Sequence, residues 1–387
     1  MRLDESVKRR LADDLDAFFT EERGGHLDWA CYLIPQRWAD IVRAAERGEN
    51  DYYLATREAP IHRKTAEKLA EFIQEGHRIT SLYVKGPGTG NKLVPYAERL
   101  NGGVKAIILE DLELDFLDQA SSLMRENCPE SVMVKIPIDF ERAKGQTQIS
   151  DNVLSIEPGG TFFNREGLPW KSFPRAGFVR RLKNFTKHFE GQGYLIITQH
   201  INRDTERLKQ MYSGEDHSAF IRTPFELAVE HLDTEGLDLD MFVHQPRFIE
   251  ESSVNAHLFR LRDDIERAEF KIEGKKYTLT QEFLNSVINS YVPTEQTFLD
   301  MAKDAGFHRL ETFYDDFDRD EGSNDQNTIA VHVFSYDKNA KKLDKDQLLE
   351  KIREENDQEK REAGNDNQLD VSNLDVRPAN SRFSSFT

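Results

Sequence analysis

The chain has 387 residues, 38% of them hydrophobic and 10% aromatic, enough to pack one large or two to three smaller domain interiors and to exclude wholesale disorder. Because 70 acidic residues outnumber 52 basic ones, the formal net charge of −18 argues against nucleic acid and anionic membranes as partners. The sequence has two cysteines and no apolar stretch typical of a signal peptide or a membrane span, so we expect a cytoplasmic protein.

The spacing of apolar residues predicts the secondary structure. The first 60 residues carry a helical pattern, with Leu3, Val7, Leu11 and Leu15 on one face. Beyond residue 63, short apolar strands alternate with helices. We expect these strands at 81–86, 104–110, 131–139, 152–158 and 193–200. The alternation predicts an α/β fold whose parallel sheet is covered by helices on both faces.

The alternation of strands and helices breaks after His200. A helical stretch at 204–232 precedes three predicted strands at 241–249, 253–262 and 269–279, the pattern of an antiparallel insertion. A helix from Thr294 then ends at Gly306, and two strands at 309–316 and 328–336 are predicted to pair as a hairpin at the end of the sheet. Residues 338–387 form a hydrophilic tail that we expect to be mobile.

A glycine-rich loop, GPGTG at 86–90, follows the first predicted strand and precedes a helix. Glycines let the backbone approach a ligand closely, and a helix N-terminus offers free N–H groups, so the loop suits a nucleotide-like ligand. Glu110 and Asp111 end the next strand, near the roughly 20-residue offset at which an acid binds a ribose hydroxyl. The spacing fits neither a Walker loop nor the G-x-G-x-x-G motif of a dehydrogenase.

Two further features lie at the carboxyl ends of predicted strands. Asp139 ends the third strand, where it could accept a hydrogen bond from an adenine amino group or simply be a solvated strand end. The segment EPGGTFFN at 157–164 follows the fourth strand, and the amide of Asn164 can both donate to and accept from an amino acid head group. Taken alone, this segment is only a turn.

Several motifs occur in a fixed order. They are DYYLATRE at 51–58, GPGTGNK at 86–92, IDFE at 138–141, GGTFFN at 159–164, FVRRLKNF at 178–185, Met211-Tyr212, Ser290-Tyr291 and AGF at 305–307. From about Tyr32 to Tyr336 this series resembles the histidine-specific methyltransferases that use S-adenosylmethionine. That family trimethylates the α-amino group of histidine on the route to ergothioneine, and it includes fungal relatives that act on dimethylallyltryptophan.

The resemblance implies a Rossmann-like class I methyltransferase sheet with a terminal antiparallel hairpin, at 63–199 and 291–337. It also implies a second α+β domain at 1–62 and 200–290, with the substrate held between the two. The implied contacts with S-adenosylmethionine come from Gly86, Gly88, Thr89, Asp111 and Asp139. The implied substrate contacts come from Tyr32, Tyr53, Asn164, Tyr212, Ile288 and Ser290, with Asn164 and Tyr53 as catalytic residues. Without the resemblance, the three tyrosines would be taken as ordinary half-buried residues.

Three positions depart from the family pattern. Val84 stands where the family has an acid two residues before the first loop glycine, and Pro87 stands where it has serine. Ile288 replaces the glutamate that meets the imidazole of histidine. Because an aliphatic side chain cannot pair with a buried N–H, we do not expect histidine as the substrate. Ile288, the aromatic pair at 162–163 and Trp170 favour a larger or more apolar amine.

The sequence therefore predicts an S-adenosylmethionine-dependent N-methyltransferase, without a metal, acting on an amino acid or a derived small-molecule amine. The protein would align a neutral amine with the methyl group and exclude water. The alternative is a catalytically inactive relative that binds a ligand or a partner, a function consistent with the departures at Val84, Pro87 and Ile288.

Overall fold

Four helices form the first part of the chain. The structure is a computed structural model that describes residues 3–20, 24–73, 78–100, 103–137, 152–165, 169–189, 192–315 and 328–337. The helices are α1 (Glu5–Thr20), α2 (Asp28–Cys31), α3 (Pro35–Glu46) and α4 (Tyr53–Phe72). The apolar face of α1 is buried, as its helical spacing predicted. Within it, Phe18 packs edge-on against Phe225 and Phe283, so α1 is anchored on residues far along the chain.

The predicted alternation of strands and helices follows. The strands are β1 (Ser81–Lys85), β2 (Ala106–Asp111), β3 (Val132–Pro137), β4 (Val153–Glu157) and β5 (Gln192–His200). The helices among them are α5 (Val94–Leu100), α6 (Leu114–Asn127) and α7 (Arg175–Thr186). β1 and β4 are buried along almost their whole length, which is typical of central parallel strands.

Residues 205–291 form two helices and six strands. These are α8 (Thr205–Tyr212), α9 (Glu215–His231), β6 (Thr234–Glu235), β7 (Phe242–Ile249), β8 (Val254–Leu261), β9 (Arg267–Ile272), β10 (Lys275–Thr280) and β11 (Leu284–Tyr291). They make two three-stranded sheets with the orders β10-β9-β6 and β11-β8-β7. All pairs within these sheets are antiparallel, as expected for this insertion.

Two elements of this region differ from the prediction. The strand predicted at 269–279 is a hairpin, because Glu273 and Gly274 both adopt positive φ, 49° and 75°, and reverse the chain between β9 and β10. β11 was not predicted. Its polar residues Asn285, Ser286 and Asn289 interrupt the apolar pattern that indicates a buried strand, although all three are buried in the structure. Asn285 donates to the backbone oxygen of Phe18 at 2.7 Å, which satisfies its amide inside the protein.

The last elements complete the large sheet. They are α10 (Glu295–Asp304), β12 (Phe307–Tyr314) and β13 (Ile329–Asp337). The seven strands have the order β3-β2-β1-β4-β5-β13-β12. The first five are parallel, and β12 and β13 form the predicted antiparallel hairpin at one end. The predicted α/β fold, with a mostly parallel sheet and additional antiparallel sheets, is confirmed.

Apolar side chains cover both faces of the seven-stranded sheet. On one face, Tyr83 of β1 belongs to a cluster with Phe178 of α7 and Phe298 of α10. On the other face, Leu82 of β1 belongs to a cluster with Leu117 of α6 that continues into the helices before β1 and the small sheets. None of the helices in the described ranges is both long and apolar enough to cross a bilayer.

The predicted domain division stays a prediction. Its boundary at 62/63 falls inside the continuous helix α4, and its boundary at 290/291 falls on the last two residues of β11. The tail at 338–387 lies outside the described residues.

Candidate active site

A cavity of about 900 Å³ lies at the carboxyl ends of β1, β2 and β4. Its wall on the sheet side comes from the loops after these strands. The opposite wall comes from α2, α3, the α8–α9 region and β11. In open α/β sheets, ligands bind at this edge, where neighbouring strands lead to helices on opposite faces.

The loop after β1 forms the floor of the cavity. Gly86, Gly88 and Gly90 all have positive φ, 62°, 54° and 86°, a conformation that side chains disfavour. A Cβ on Gly88 would meet no atom within 4 Å, whereas a Cβ on Gly90 would lie 2.8 Å from the Cα of Ala120 in α6. Gly90 therefore lets the loop pack on α6. Gly86 and Gly88 line the cavity together with Thr89 and bring backbone close to a ligand.

The two acids at the end of β2 face different surroundings. The Asp111 side chain lines the cavity and accepts a hydrogen bond from the backbone N–H of Glu113 at 3.2 Å. Its burial raises the pKa of the Asp111 carboxyl to about 6. Glu110 is buried on the other face of the sheet, where it accepts a hydrogen bond from the hydroxyl of Tyr83. Asp111 is thus the acid that a ligand in the cavity can reach.

Glu58, on α4, joins the two loops that border the cavity. Its carboxylate accepts hydrogen bonds from Lys92, from the backbone N–H of Gly159, and from Thr198 of β5 at 2.7 Å, and it lies 3.2 Å from Nε2 of His62. Burial alone would raise the pKa of Glu58, but the Lys92 ammonium and His62 hold it well below its usual range. Glu58 and Lys92 both line the cavity.

Neither Glu58 nor Lys92 was singled out as a site residue from the sequence. Glu58 does belong to the DYYLATRE motif, and Lys92 ends the GPGTGNK motif. The available signal was the opposite charge of the last residues of two motifs, which lie 34 positions apart in the chain.

On the far side of the cavity, Asn164 and Ser290 face each other. They form an isolated antiparallel bridge, and Ser290 Oγ donates to Asn164 Oδ1 at 2.7 Å. Arg181 of α7 fixes the backbone here by donating to the carbonyls of Phe162 and Asn164 at 2.8 and 2.9 Å. Among the described residues, none accepts a hydrogen bond from Asn164 Nδ2. That amide N–H group is therefore available to a ligand.

The remaining predicted substrate residues divide into two groups. Tyr32, Tyr212 and Ile288 line the cavity, as do Asn164 and Ser290. Tyr53 is not among the lining residues: its hydroxyl lies 2.6 Å from Nε2 of His200 and accepts a hydrogen bond from Asn202 at 3.2 Å. Its neighbour Tyr52, at the N-cap of α4, lines the cavity instead. Burial raises the pKa of Tyr53 to about 12.

Three other sequence predictions have different outcomes. Asp139 lies outside the described residues. Trp170 is 44% exposed and is not a lining residue, so it does not shape the cavity. Of the aromatic pair at 162–163, Phe163 lines the cavity, whereas Phe162 is fully buried between Phe178 and Phe298.

The model of one protein family matches residues 37–320 of this chain, and its description is histidine-specific methyltransferase, S-adenosylmethionine-dependent. The chain belongs to this family. The predicted resemblance is confirmed, and the protein is an S-adenosylmethionine-dependent methyltransferase. Nothing in these findings supports the alternative of a catalytically inactive binding protein. No curated protein that was searched matches the sequence.

The methyltransferase is also similar to solved structures. One from Clostridium acetobutylicum ATCC 824, an S-adenosylmethionine-dependent methyltransferase, shares 11% identity over 79% of this chain and 99% of that one, with a TM-score of 0.41. The CcbJ methyltransferase from Streptomyces caelestis shares 15% identity over 71% of this chain and 94% of its own, with a TM-score of 0.37.

A third similar structure is the 1,6-didemethyltoxoflavin-N1-methyltransferase from Burkholderia thailandensis, solved with 1,6-didemethyltoxoflavin and S-adenosylhomocysteine bound. It shares 11% identity with the methyltransferase over 78% of this chain and 90% of its own, with a TM-score of 0.34.

The residues of the cavity fit S-adenosylmethionine. Asp111 offers a carboxylate for ribose hydroxyls, and the glycine loop offers close backbone. Lys92 supplies a cation within the same wall, next to Gly159. At the departure from the family pattern in β1, Val84 is fully buried in the apolar core, so this position contributes no polar contact.

Proposed function

We propose that this methyltransferase transfers a methyl group to the nitrogen of an amino acid, or of an amine derived from one, other than histidine. The observation that carries the proposal is the Asn164–Ser290 pair on the cavity wall, with Ile288 two residues before Ser290. The pair leaves an amide N–H group for the head group of the acceptor. Ile288 offers no carboxylate to an imidazole N–H.

The chemistry follows from positioning. Bound S-adenosylmethionine supplies an electrophilic methyl group, so no covalent intermediate with the protein is needed. The task of Asn164 is to hold the acceptor in line, and Ser290 and Arg181 hold Asn164. Aromatic residues that line the cavity, among them Trp38, Tyr52 and Phe220, exclude water. This favours the neutral amine over the ammonium and so makes the attacking lone pair available.

The proposal also covers the partner and the location. The acceptor is a small molecule, since the cavity of about 900 Å³ has to hold both it and the cofactor. The net charge of −18 supports neither a nucleic acid nor an anionic membrane as a partner. We place the protein in the cytoplasm, because its two cysteines are free and buried.

Incubation with labelled S-adenosylmethionine and a panel of acceptors tests the proposal. The panel contains L-histidine, the other aromatic amino acids, aliphatic amino acids and indole amines. We expect N-methylation of at least one acceptor in preference to L-histidine. Preferential methylation of L-histidine, or no transfer to any amine despite cofactor binding, contradicts it.

Variants of the pair link the activity to this site. Asn164→Ala removes the head-group contact, and we expect kcat/KM to fall about 100-fold. Ser290→Ala leaves the Asn164 amide in place without its partner, so the loss should be smaller. Equal activity of Asn164→Ala and the wild type would show that the acceptor binds elsewhere.

A further inference from the structure

Two histidines on neighbouring strands share a hydrogen bond that leads away from the cavity. His257 of β8 lines the cavity, whereas His244 of β7, diagonally across the ladder, does not. His257 Nδ1 and His244 Nε2 are 3.2 Å apart, the ring centroids are 5.4 Å apart, and the ring planes differ by 10°. Because the centroid distance exceeds the N–N distance by about two ring radii, the rings meet end to end, as an N–H···N hydrogen bond requires.

The chain of hydrogen bonds continues from His244 towards solvent. His244 Nδ1 lies 3.1 Å from the hydroxyl of Ser218, in the first turn of α9. Ser218 is half-buried, whereas His257 is 3% exposed. Each of the three groups can both accept and donate a proton. They therefore connect the cavity with a hydroxyl that water can reach.

The cavity end of this chain is His257 Nε2. This nitrogen has no hydrogen-bond partner among the described residues, and it is not one of the unpaired polar atoms that the fold shields completely. Ile288 lies opposite His257 in the β8–β11 ladder, and two residues further on Ser290 holds Asn164. Diagonal neighbours in such a ladder are about 7–8 Å apart. His257 Nε2 therefore opens onto the cavity next to the pair proposed to hold the head group of the acceptor.

Methyl transfer to an amino group releases one proton per turnover. The amino group arrives as an ammonium ion, and its nitrogen attacks only after one N–H bond has broken and left its electron pair on nitrogen. Aromatic residues that line the cavity keep water away from this nitrogen. The proton therefore needs a route out of the cavity.

A second histidine that lines the cavity offers no such route. His200 Nε2 lies 2.6 Å from the hydroxyl of Tyr53, which accepts a hydrogen bond from the side-chain amide of Asn202 at 3.2 Å. An amide N–H donates and cannot take up a proton, so this chain ends there. The chain through His244 ends instead on a hydroxyl, which can.

We propose that His257, His244 and Ser218 carry the proton of the acceptor's ammonium group out of the cavity. The inference rests on the proposed N-methyl transfer and adds the group that accepts its proton. The proton binds His257 Nε2, the Nδ1 proton of His257 moves to His244 Nε2, and the Nδ1 proton of His244 moves to Ser218 or to water beside it. The electron pair left on the amine forms the N–CH₃ bond, and the pair of the broken C–S bond stays on sulfur. Between turnovers, exchange with water at both ends restores the starting tautomers.

The low basicity of these imidazoles does not prevent the relay. Burial lowers the pKa of His244 to about 3 and that of His257 well below its ordinary value. An α-amino group has a pKa near 8, so the transfer is uphill by about five pKa units, each a factor of about ten. A frequency of about 6 × 10¹² s⁻¹ then falls to roughly 10⁷–10⁸ s⁻¹, far above a typical kcat of about 10 s⁻¹.

Substitution of His244 tests the relay without changing the lining of the cavity. His244→Gln keeps a hydrogen bond to His257, but its amide cannot pass a proton on. We therefore expect kcat to fall about 10- to 100-fold, with KM within about twofold of the wild type. The control, His332→Phe, removes another buried imidazole that is hydrogen-bonded at both nitrogens and does not line the cavity. It should keep kcat within about twofold. A wild-type kcat in His244→Gln would overturn the relay.

Added imidazoles distinguish proton transfer from the filling of space. His244→Ala leaves a space beside Ser218 that a small imidazole can enter. The compounds 4-methylimidazole and 1-methylimidazole have the same size, but only the first can accept a proton at one nitrogen and release one from the other. We expect 4-methylimidazole to raise the kcat of His244→Ala about fivefold or more, and 1-methylimidazole to leave it unchanged. Equal rescue by the two compounds would assign His244 a packing role and overturn the relay.

Nitrogen NMR gives a readout that does not depend on turnover. In the complex with S-adenosylhomocysteine and an acceptor, no methyl group can be transferred. We expect spectra of protein labelled at its histidines to place the proton of both His257 and His244 on Nδ1. A proton on His257 Nε2 in this complex would contradict the inference, because that nitrogen could not then accept one.

The outcomes separate the relay from the proposed function. If the wild type methylates an amine and His244→Gln does so at the same rate, the relay is wrong and the proposed function still stands. If the wild type transfers no methyl group to any amine, the proposed function fails and the relay fails with it.

Discussion

Asp111 and Glu110 are neighbours in β2 with opposite environments. A strand directs successive side chains to opposite faces, so only one of the two can reach the cavity at the strand end. Asp111 lines the cavity, and Glu110 accepts a hydrogen bond from Tyr83. Substitutions at these two positions therefore have separable consequences for ligand binding and for packing.

Replacing Asp111 tests its assignment to the cofactor. Asp111→Asn keeps the shape and removes the charged acceptor for ribose hydroxyls, so we expect the dissociation constant of S-adenosylmethionine to rise about 10- to 100-fold. Isothermal titration calorimetry measures this change. The matched control is Glu110→Gln, which should leave cofactor affinity within about twofold because Glu110 faces the other side of the sheet. Equal losses in both variants would contradict the assignment.

Cofactor affinity should also depend on pH. The pKa of Asp111 is raised by burial to about 6, so the carboxylate that accepts ribose hydroxyls becomes protonated as the pH falls below that value. We expect the affinity to be highest above pH 6 and to fall by up to about tenfold per pH unit below it. Calorimetry from pH 8 to pH 5 measures this dependence. Asp111→Asn should flatten it, and an unchanged slope in that variant would assign the titration to another group.

At the scale of elements, contacts from α4 and α6 hold the loops on the sheet side of the cavity in place. The β1–α5 loop packs on α6 through Gly90, and α4 reaches both the β1 and the β4 loops through Glu58. The two glycines therefore have different roles. A Cβ on Gly90 would contact α6, whereas a Cβ on Gly88 would contact no protein atom.

Two alanine substitutions separate these roles. An alanine at Gly90 would have to keep a positive φ, and its methyl group would meet the α6 backbone. Gly90→Ala should therefore lower the free energy of unfolding by about 2 kcal/mol or more. Gly88→Ala carries only the backbone strain, about 1 kcal/mol, but places its methyl group next to the ligand. Chemical denaturation and cofactor titration measure the two effects. A larger loss of stability in Gly88→Ala than in Gly90→Ala would contradict this description.

Removing Glu58 tests the link between α4 and the loops. Glu58→Ala leaves Lys92 without its buried carboxylate and the Gly159 N–H without its acceptor, so we expect the free energy of unfolding to fall by about 3–5 kcal/mol. Glu58→Gln retains the amide oxygen as an acceptor and should lose less. Urea denaturation of the two variants and the wild type measures both values, and a neutral effect of Glu58→Ala would rule out this role.

At the scale of the whole molecule, buried neutral histidines make the stability of the fold depend on pH. Burial lowers the pKa of five of them: His200, His217, His244, His257 and His332. In the unfolded chain each imidazole has a pKa near 6.5, so the unfolded state binds more protons than the folded state below that pH. Asp111 and Glu113, whose pKa values burial raises to about 6 and 7, bind protons in the folded state and offset part of this difference.

Stability should therefore fall on acidification. Below pH 6.5, each of these histidines lowers the free energy of unfolding by up to about 1.4 kcal/mol for every pH unit of acidification. This loss continues until the pH reaches the pKa of that histidine in the folded protein. We expect the midpoint of urea denaturation to be nearly constant from pH 8 to pH 7 and to decrease clearly between pH 6.5 and pH 5. His332→Phe removes one of the five histidines and should make the pH dependence of the midpoint correspondingly less steep. A midpoint that is constant down to pH 5 would contradict the expectation.

Much of the large sheet could be predicted because its signals are local. Period-two and period-3.6 spacing located β1–β5, the hairpin of β12 and β13, and most of the helices. The β9–β10 hairpin was missed although it has a local signal: its buried positions shift from Ala268, Phe270 and Ile272 to Tyr277 and Leu279 across Glu273-Gly274. β11 was missed because its buried polar residues depend on partners such as the Phe18 carbonyl, 267 positions away.

By itself, the sequence determined the α/β fold, the glycine loop, the acid near the end of β2 and, through its ordered motifs, the family. These features depend on neighbours in the chain, so spacing alone reveals them. The resemblance implied Asp111 as the acid that meets the cofactor, and only the tertiary structure decided that Tyr52 rather than Tyr53 lines the cavity. It also decided that Glu58 bonds Gly159 and that Ser290 bonds Asn164, pairs 101 and 126 positions apart. Such contacts form when distant elements pack together, and no local pattern encodes which of two adjacent side chains will face the interior that packing creates.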